Sequence, residues 1–297
     1  MKKFLVFTFM FYGVISLHAS TNVTVSITPQ KYFVEKIAKD KVNINIMVKP
    51  GFSPATYEPQ TSQMKQLSSS KVYFSIGVPF EHSWLSKFEN ANKNMKIVDT
   101  TMGIEKIQMA AHEHEDEHED EDEDEKEHNS ELIDEDGLDP HVWLDPILVK
   151  IQAKNIYETL ANIDSENKEF YFKNYTLFLK ELDMLNNKIK TILKPVNQGS
   201  FMVFHPSWGY FAKRYNLEQI AVEKEGKEPK PRELVELIKD SKKHNIKVVF
   251  ISPQFSKKAA NTIAKSIKGK TFTIDHLSYD YEINLINTAN AIYNSYK

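Results

Sequence analysis

Apolar residues along this chain recur at two periods, one strand-like and one helix-like, and the order in which the periods alternate predicts an α/β protein. Val23-Thr24-Val25-Ser26-Ile27 reads as a strand. Thr28-Pro29 opens a helical pattern over residues 32–38, with Phe33, Val34 and Ile37 on one side. Residues 42–48 predict a second strand and residues 49–59, rich in Pro and Gly, a loop. A short helix over 60–67, a strand over 72–76, a short helix over 83–88 and a brief strand over 96–98, ending at Asp99, follow. Strands that alternate with helices in this way predict parallel pairing.

The second half repeats the theme after a long helical stretch. A helix is expected over 146–160, with Pro146 in its first turn. Asp164-Ser165-Glu166 caps a longer one reaching about Leu193, on which Phe170, Leu177, Phe178, Leu182, Leu185 and Ile189 fit a helical repeat. At ~1.5 Å per residue it is on the order of 40 Å long, enough to run along two domains. Pro195 stops it. Next come a strand over 201–204 ending at His205, a helix over 207–215, a charged loop over 223–231 and a helix over 232–243. A strand over 248–251, a helix over 256–267 and a strand over 271–274, ending at Asp275, complete the pattern.

Charge alters the picture at one place. The 297 residues carry a formal charge of −3, but residues 112–128 hold twelve Asp or Glu, one Lys and the histidines His112, His114, His118 and His128. With no apolar residue and strong self-repulsion, this tract is expected to be disordered without cation. Its histidines, raised in pKa by the surrounding carboxylates, suit modest, pH-dependent capture of metal. Outside the tract the basic residues are scattered, which argues against a nucleic-acid partner. Met1-Lys2-Lys3, an apolar run from Phe4 to Leu17 and His18-Ala19-Ser20 read as a secretory leader cleaved after Ala19. There is no cysteine, which excludes disulfides, thiolate metal sites, thiol catalysis and thiol lipidation. A monomer in an exported compartment is expected.

Candidate chemistry centres on Asp139-Pro140-His141-Val142-Trp143-Leu144-Asp145-Pro146, where two Asp-Pro steps stiffen the backbone on both sides of His141. In open α/β sheets ligands bind beyond the carboxyl ends of strands. His205 and Asp275 both fall there, so His141, His205 and Asp275 form a candidate metal set of two nitrogens and one oxygen. Such donors suit zinc, with manganese, iron, nickel or copper as competitors.

These residues resemble the zinc-type solute-binding proteins of metal-uptake ABC transporters, the ZnuA type among the zinc and manganese receptors. The resemblance spans essentially the whole mature chain. It is carried by the Asp139–Pro146 string, Pro50-Gly51-Phe52-Ser53-Pro54, Tyr57-Glu58-Pro59, Phe204-His205-Pro206-Ser207-Trp208-Gly209-Tyr210-Phe211, Pro229-Lys230-Pro231-Arg232-Glu233-Leu234, Pro253-Gln254-Phe255 and the His-acid tract. It implies two similar lobes with mostly parallel sheets, joined by one long rigid helix, with metal in the cleft between them. The expected organisation is a leader over 1–19, an N-terminal lobe over 20–163 with the His/acid loop 112–130, a linking helix over 164–194 and a C-terminal lobe over 195–297.

It also implies His141, His205 and Asp275 as the second, third and last ligands, with Zn2+ preferred to Mn2+, and delivery to an ABC permease at the inner membrane. The departure is at the first ligand, where the family pattern has histidine and this chain has Ala55. Water, Glu58, Glu81, His82 or a tract histidine (His112, His114, His118 or His128) would have to complete the sphere. An exported zinc buffer without a transporter and a zinc enzyme using an open coordination place are the alternatives. Against the enzyme, no Glu or His is placed by sequence as an obvious general base.

Overall fold

The computed structural model describes residues 20–109, 137–223 and 229–297. The expected leader over 1–19 and the tract histidines lie outside those residues. Two four-stranded sheets, each wholly parallel, share one strand order. In the first, β1 (Thr21–Val25) lies between β2 (Val42–Ile46) and β3 (Val72–Ser75), with β4 (Lys96–Asp99) beyond β3. In the second, β5 (Ser200–Val203) lies between β6 (Glu218–Ala221) and β7 (Val248–Ile251), with β8 (Lys270–Thr273) beyond β7. This is the two-lobed α/β architecture that the alternating periods and the resemblance imply.

Helices α1 (Thr28–Ala38), α2 (Thr61–Leu67) and α3 (Pro79–Ala91) connect the first sheet, and α4 (Pro146–Ile163) leads to α5 (Lys168–Leu193). Helices α6 (Gly209–Arg214), α7 (Pro231–Lys243) and α8 (Lys257–Ser266) connect the second sheet, and α9 (Tyr281–Ser295) follows it. Strand β6 and helix α9 are additions to the sequence reading, and α3 starts earlier than expected, with Pro79 in its first turn. Asp164-Ser165-Glu166 does not cap α5 directly. A single 3-10 turn over Ser165–Asn167 intervenes. The 26-residue α5 buries Tyr171, Phe178, Leu182, Leu185, Ile189 and Leu193 along one seam. Phe170 and Leu177 fit the same repeat by spacing but fall outside that seam and are exposed.

Residue alternation on β5 and β7 explains how one core serves both lobes. Phe201, Val203, Val248 and Phe250 face a core continuous with the first sheet and with α1, α4, α5 and α9. Met202, Phe204, Val249 and Ile251 face the opposite side, against α7 and α8. Side chains two apart share a face, so a short strand feeds two cores. Separating the lobes would expose apolar surface of the shared core, at roughly 25 cal/mol per Å². A polar seam on the same helices reinforces it. Tyr32 on α1 donates to Glu282 on α9 at 2.7 Å, and Lys36 pairs with Glu181 on α5 at 2.7 Å and with Glu282 at 3.1 Å.

In each sheet the strand order reverses beside the second and first strands' neighbour, between β1 and β3 and between β5 and β7, which is where ligands bind in such folds. In the first sheet this place is filled by the chain itself. Glu81 is buried, accepts the amide hydrogens of Ile76 at 3.1 Å and Gly77 at 2.7 Å, and accepts the Ser26 hydroxyl. Burial raises its pKa to about 7. Glu81→Ala is expected to destabilise the protein, at about 1–3 kcal/mol per buried donor left unpaired. Urea unfolding measures this, and an unchanged midpoint would contradict it. Glu81 is thereby engaged within its own lobe.

Candidate metal centre

In the second sheet the corresponding place holds imidazoles. His205 follows β5, and Ser252 follows β7. His276 follows β8 and is buried, as is His141, which enters from the first lobe. The ring centroids of His141 and His205 are 5.4 Å apart, those of His141 and His276 5.7 Å, and those of His205 and His276 5.9 Å. Phe255 stacks on His205 at 4.7 Å and walls the cluster on one side.

All three rings are oriented through the same nitrogen. His141 Nδ1 lies 2.7 Å from Asp139 Oδ1, which also accepts the His141 amide hydrogen at 2.8 Å. His205 Nδ1 lies 3.3 Å from Glu223 Oε2, and His276 Nδ1 lies 2.9 Å from Ser252 Oγ. No hydrogen bond among the described residues uses Nε2 of any of the three. The carboxylates on His141 and His205 only accept and so hold the proton on Nδ1, while Ser252 Oγ orients His276 and can accept in the same way. A partner on one ring nitrogen leaves the other for a ligand, which is how ligating histidines are held in metal sites.

The spacing is close to what one ion requires. With Zn–N of about 2.0–2.1 Å and a tetrahedral angle, imidazole centroids stand about 5.2 Å apart. The observed separations exceed this by a few tenths of an ångström. Among the described residues no three His, Asp or Glu side chains are already closed into a metal-binding group. The three rings therefore have to draw together slightly around an ion.

The string around His141 also fastens the lobes. Asp145 caps α4 by accepting the Ile147 amide hydrogen and is held by Arg214 of α6 through Nε at 2.9 and 2.8 Å. Trp143 donates its indole hydrogen to the His276 carbonyl at 2.7 Å, and Tyr281 donates to the Trp143 carbonyl at 2.8 Å. Tyr210 donates to the Asp139 carbonyl at 3.0 Å. One octapeptide thus carries a candidate ligand and ties it to the opposite lobe at four points.

The structure brings together His141 and His205 as the sequence suggests and adds His276, which the sequence reading missed. Asp275 lies next to His276, but its Oδ1 accepts the Leu277 amide hydrogen at 3.0 Å and the Gln254 side chain at 3.1 Å. Glu58, His82 and Ala55 are exposed, the last with its amide turned to Ser53 Oγ at 3.2 Å.

Burial lowers the His141 pKa, with Asp139 opposing and His205 adding to the fall. Burial, reinforced by His141 and His205, holds His276 well below its usual value. The unfolded chain takes up these protons near about 6.5, before the folded one does. Their contribution to stability is therefore full above that pH and lost as pH falls through the lowered values. Glu81 has the opposite sign, since its raised pKa favours the fold as pH drops from about 7. The His276→Gln variant of the metal-free protein should accordingly lose less stability than the parent between pH 7 and 5. Calorimetry at several pH values measures this, and identical slopes would contradict it.

A family model described as ZnuA, "Zinc-uptake complex component A periplasmic", matches residues 23–294. The chain belongs to this family. As a ZnuA-family protein it is a metal-binding receptor of the kind used in ABC zinc uptake. The high-affinity zinc uptake system protein ZnuA of Bacillus subtilis is 29% identical over 260 residues, which is 86% of this chain and 78% of that protein. A crystal structure of ZnuA matches with a TM-score of 0.83 at 39% identity, over 94% of this chain and 100% of the other. A ZnuA deletion mutant crystallised with zinc bound matches with a TM-score of 0.82 at 40% identity, over 93% of this chain and 98% of the other. No helix among the described residues is long and apolar enough to cross a membrane.

Proposed function

We propose that this ZnuA-family protein is an exported, periplasmic zinc receptor that binds one Zn2+ in the cleft between its lobes and passes it to the permease of an ABC transporter. The observation that carries this reading is the meeting of His141 from one lobe with His205 from the other, at 5.4 Å, each oriented by a carboxylate on Nδ1. Zinc is the cargo of choice because neutral imidazole favours it over manganese, which prefers oxygen donors. Asp275 is the oxygen donor that the family resemblance assigns to the same site. The leader over 1–19 would place the mature protein, as a monomer, outside the cytoplasm.

Among the described residues the cleft offers no carboxylate placed as an obvious general base. Asp139 and Glu223, the carboxylates hydrogen-bonded to the rings, are engaged in holding them. A buffer without a transporter would use the same ion site, so the two readings separate by uptake. Purified protein given equal zinc and manganese is expected to retain one zinc per molecule by native mass spectrometry. Preferential retention of manganese would overturn the choice of cargo. Deletion of the gene is expected to abolish growth on low zinc, and unimpaired uptake would favour the buffer.

A further inference from the structure

Ala55, where the resemblance implies a first ligand, is exposed and offers only a methyl group. We infer that His276 supplies the missing imidazole from the opposite lobe, so that zinc is held by Nε2 of His141, His205 and His276. This rests on the zinc reading above and changes its ligand set, from two imidazoles and Asp275 to three imidazoles.

Three independent features of His276 support the assignment. Its ring closes a near-equilateral triangle with the other two, at 5.7 and 5.9 Å. Its Nδ1 pairs with Ser252 Oγ, which orients the ring and, because a hydroxyl can accept, suits the Nδ1–H tautomer that ligation through Nε2 requires, with Nε2 left without a hydrogen-bond partner. Its backbone is pinned from the other lobe by the Trp143 indole, the side chain two residues after His141. The residue is 2% exposed, yet its unpaired Nε2 is not among the fully buried polar atoms, so this nitrogen opens on the cleft where an ion can reach it. Asp275 commits Oδ1 to the Leu277 amide hydrogen and to the Gln254 side chain from the loop after β7, while no hydrogen bond among the described residues uses its Oδ2.

The consequence is a shift of the site towards the C-terminal lobe. Two of the three ligands, and the partners Glu223 and Ser252 that orient them, belong to that lobe. The first lobe contributes His141 alone, and the loop over 49–59 is freed from the metal. Ser252 acts here as a positioning residue, through His276.

The test combines zinc X-ray absorption with titration calorimetry on the full-length parent, His276→Gln, Asp275→Asn and Ser252→Ala. Three imidazoles are expected on zinc in the parent and two in His276→Gln, with affinity reduced at least about 100-fold. Asp275→Asn should keep three imidazoles and lose less than about 10-fold, and Ser252→Ala should keep three and lose about 10–100-fold. Tight zinc with only two imidazoles in the parent would overturn the assignment while leaving the zinc receptor intact. So would a folded His276→Gln protein of unchanged affinity. A parent that binds no zinc would overturn both.

Discussion

Alanine at His205 is expected to weaken zinc binding by at least about 100-fold, since even the partners that only orient a ligating imidazole contribute about 10–100-fold. The ring sits at the carboxyl end of β5, in the notch where the strand order of the second sheet reverses, and is held by Glu223 and Phe255. Its removal leaves His141 without its partner from the other lobe. The fold should survive, because the ring is only partly buried and the strand beneath it keeps both faces packed. Deleting residues 112–128 should cost far less and leave one tight zinc per molecule. Calorimetry on the two variants makes the comparison. A larger loss on deleting the tract would remove the cleft as the principal site.

The largest effect on stability is expected from Trp143→Ala, at about 3–5 kcal/mol for truncating a fully buried aromatic side chain. Trp143 is 0% exposed and packs in the core that both lobes share. Its indole hydrogen bond to the His276 carbonyl crosses between the lobes. Trp143→Phe separates the two contributions. It keeps most of the buried area and leaves the buried His276 carbonyl without its donor, for about 1–3 kcal/mol. Zinc affinity should fall in both variants, because the His276 backbone loses its tether. Urea midpoints with and without zinc measure these effects. A Trp143→Ala protein as stable as the parent would show that the lobes do not depend on this string.

Much of the architecture was legible because β1 and β3 are short apolar runs and β2 an alternating one, each followed in the chain by a helical stretch before the next strand. Val23, Val25 and Ile27, then Phe33, Val34 and Ile37, show the change of period within fifteen residues. β6 was not legible, since Glu218-Gln219-Ile220-Ala221 has only two apolar residues and sits at a sheet edge. Helix α9 carries Asn284, Asn287, Asn290 and Asn294, and asparagine is a poor helix former. Its stability comes from packing on α5, which no local pattern reveals. The exposure of Phe170 and Leu177 has the same origin, because spacing along α5 gives a stripe but not the angle at which neighbours cover it.

The imidazole cluster proposed as the metal centre was half legible. His141 and His205 stand out because Asp-Pro steps and a strand end fix them locally. His276 follows Asp275 by one residue, and a strand-end reading stops at the first polar group. The signal that would have found it is the vacancy at Ala55, since a chain short of one imidazole should carry another near the same strand ends. The tethers from Tyr210, Arg214 and Tyr281 to the Asp139–Asp145 stretch were beyond reach, because they join residues more than sixty positions apart.

Anomalous diffraction at the zinc edge from crystals of the zinc-loaded protein tests the central claim most directly. One strong peak is expected in the cleft, within about 2.0–2.1 Å of Nε2 of both His141 and His205. A zinc peak that touches only one of these two rings, or none, would contradict the account.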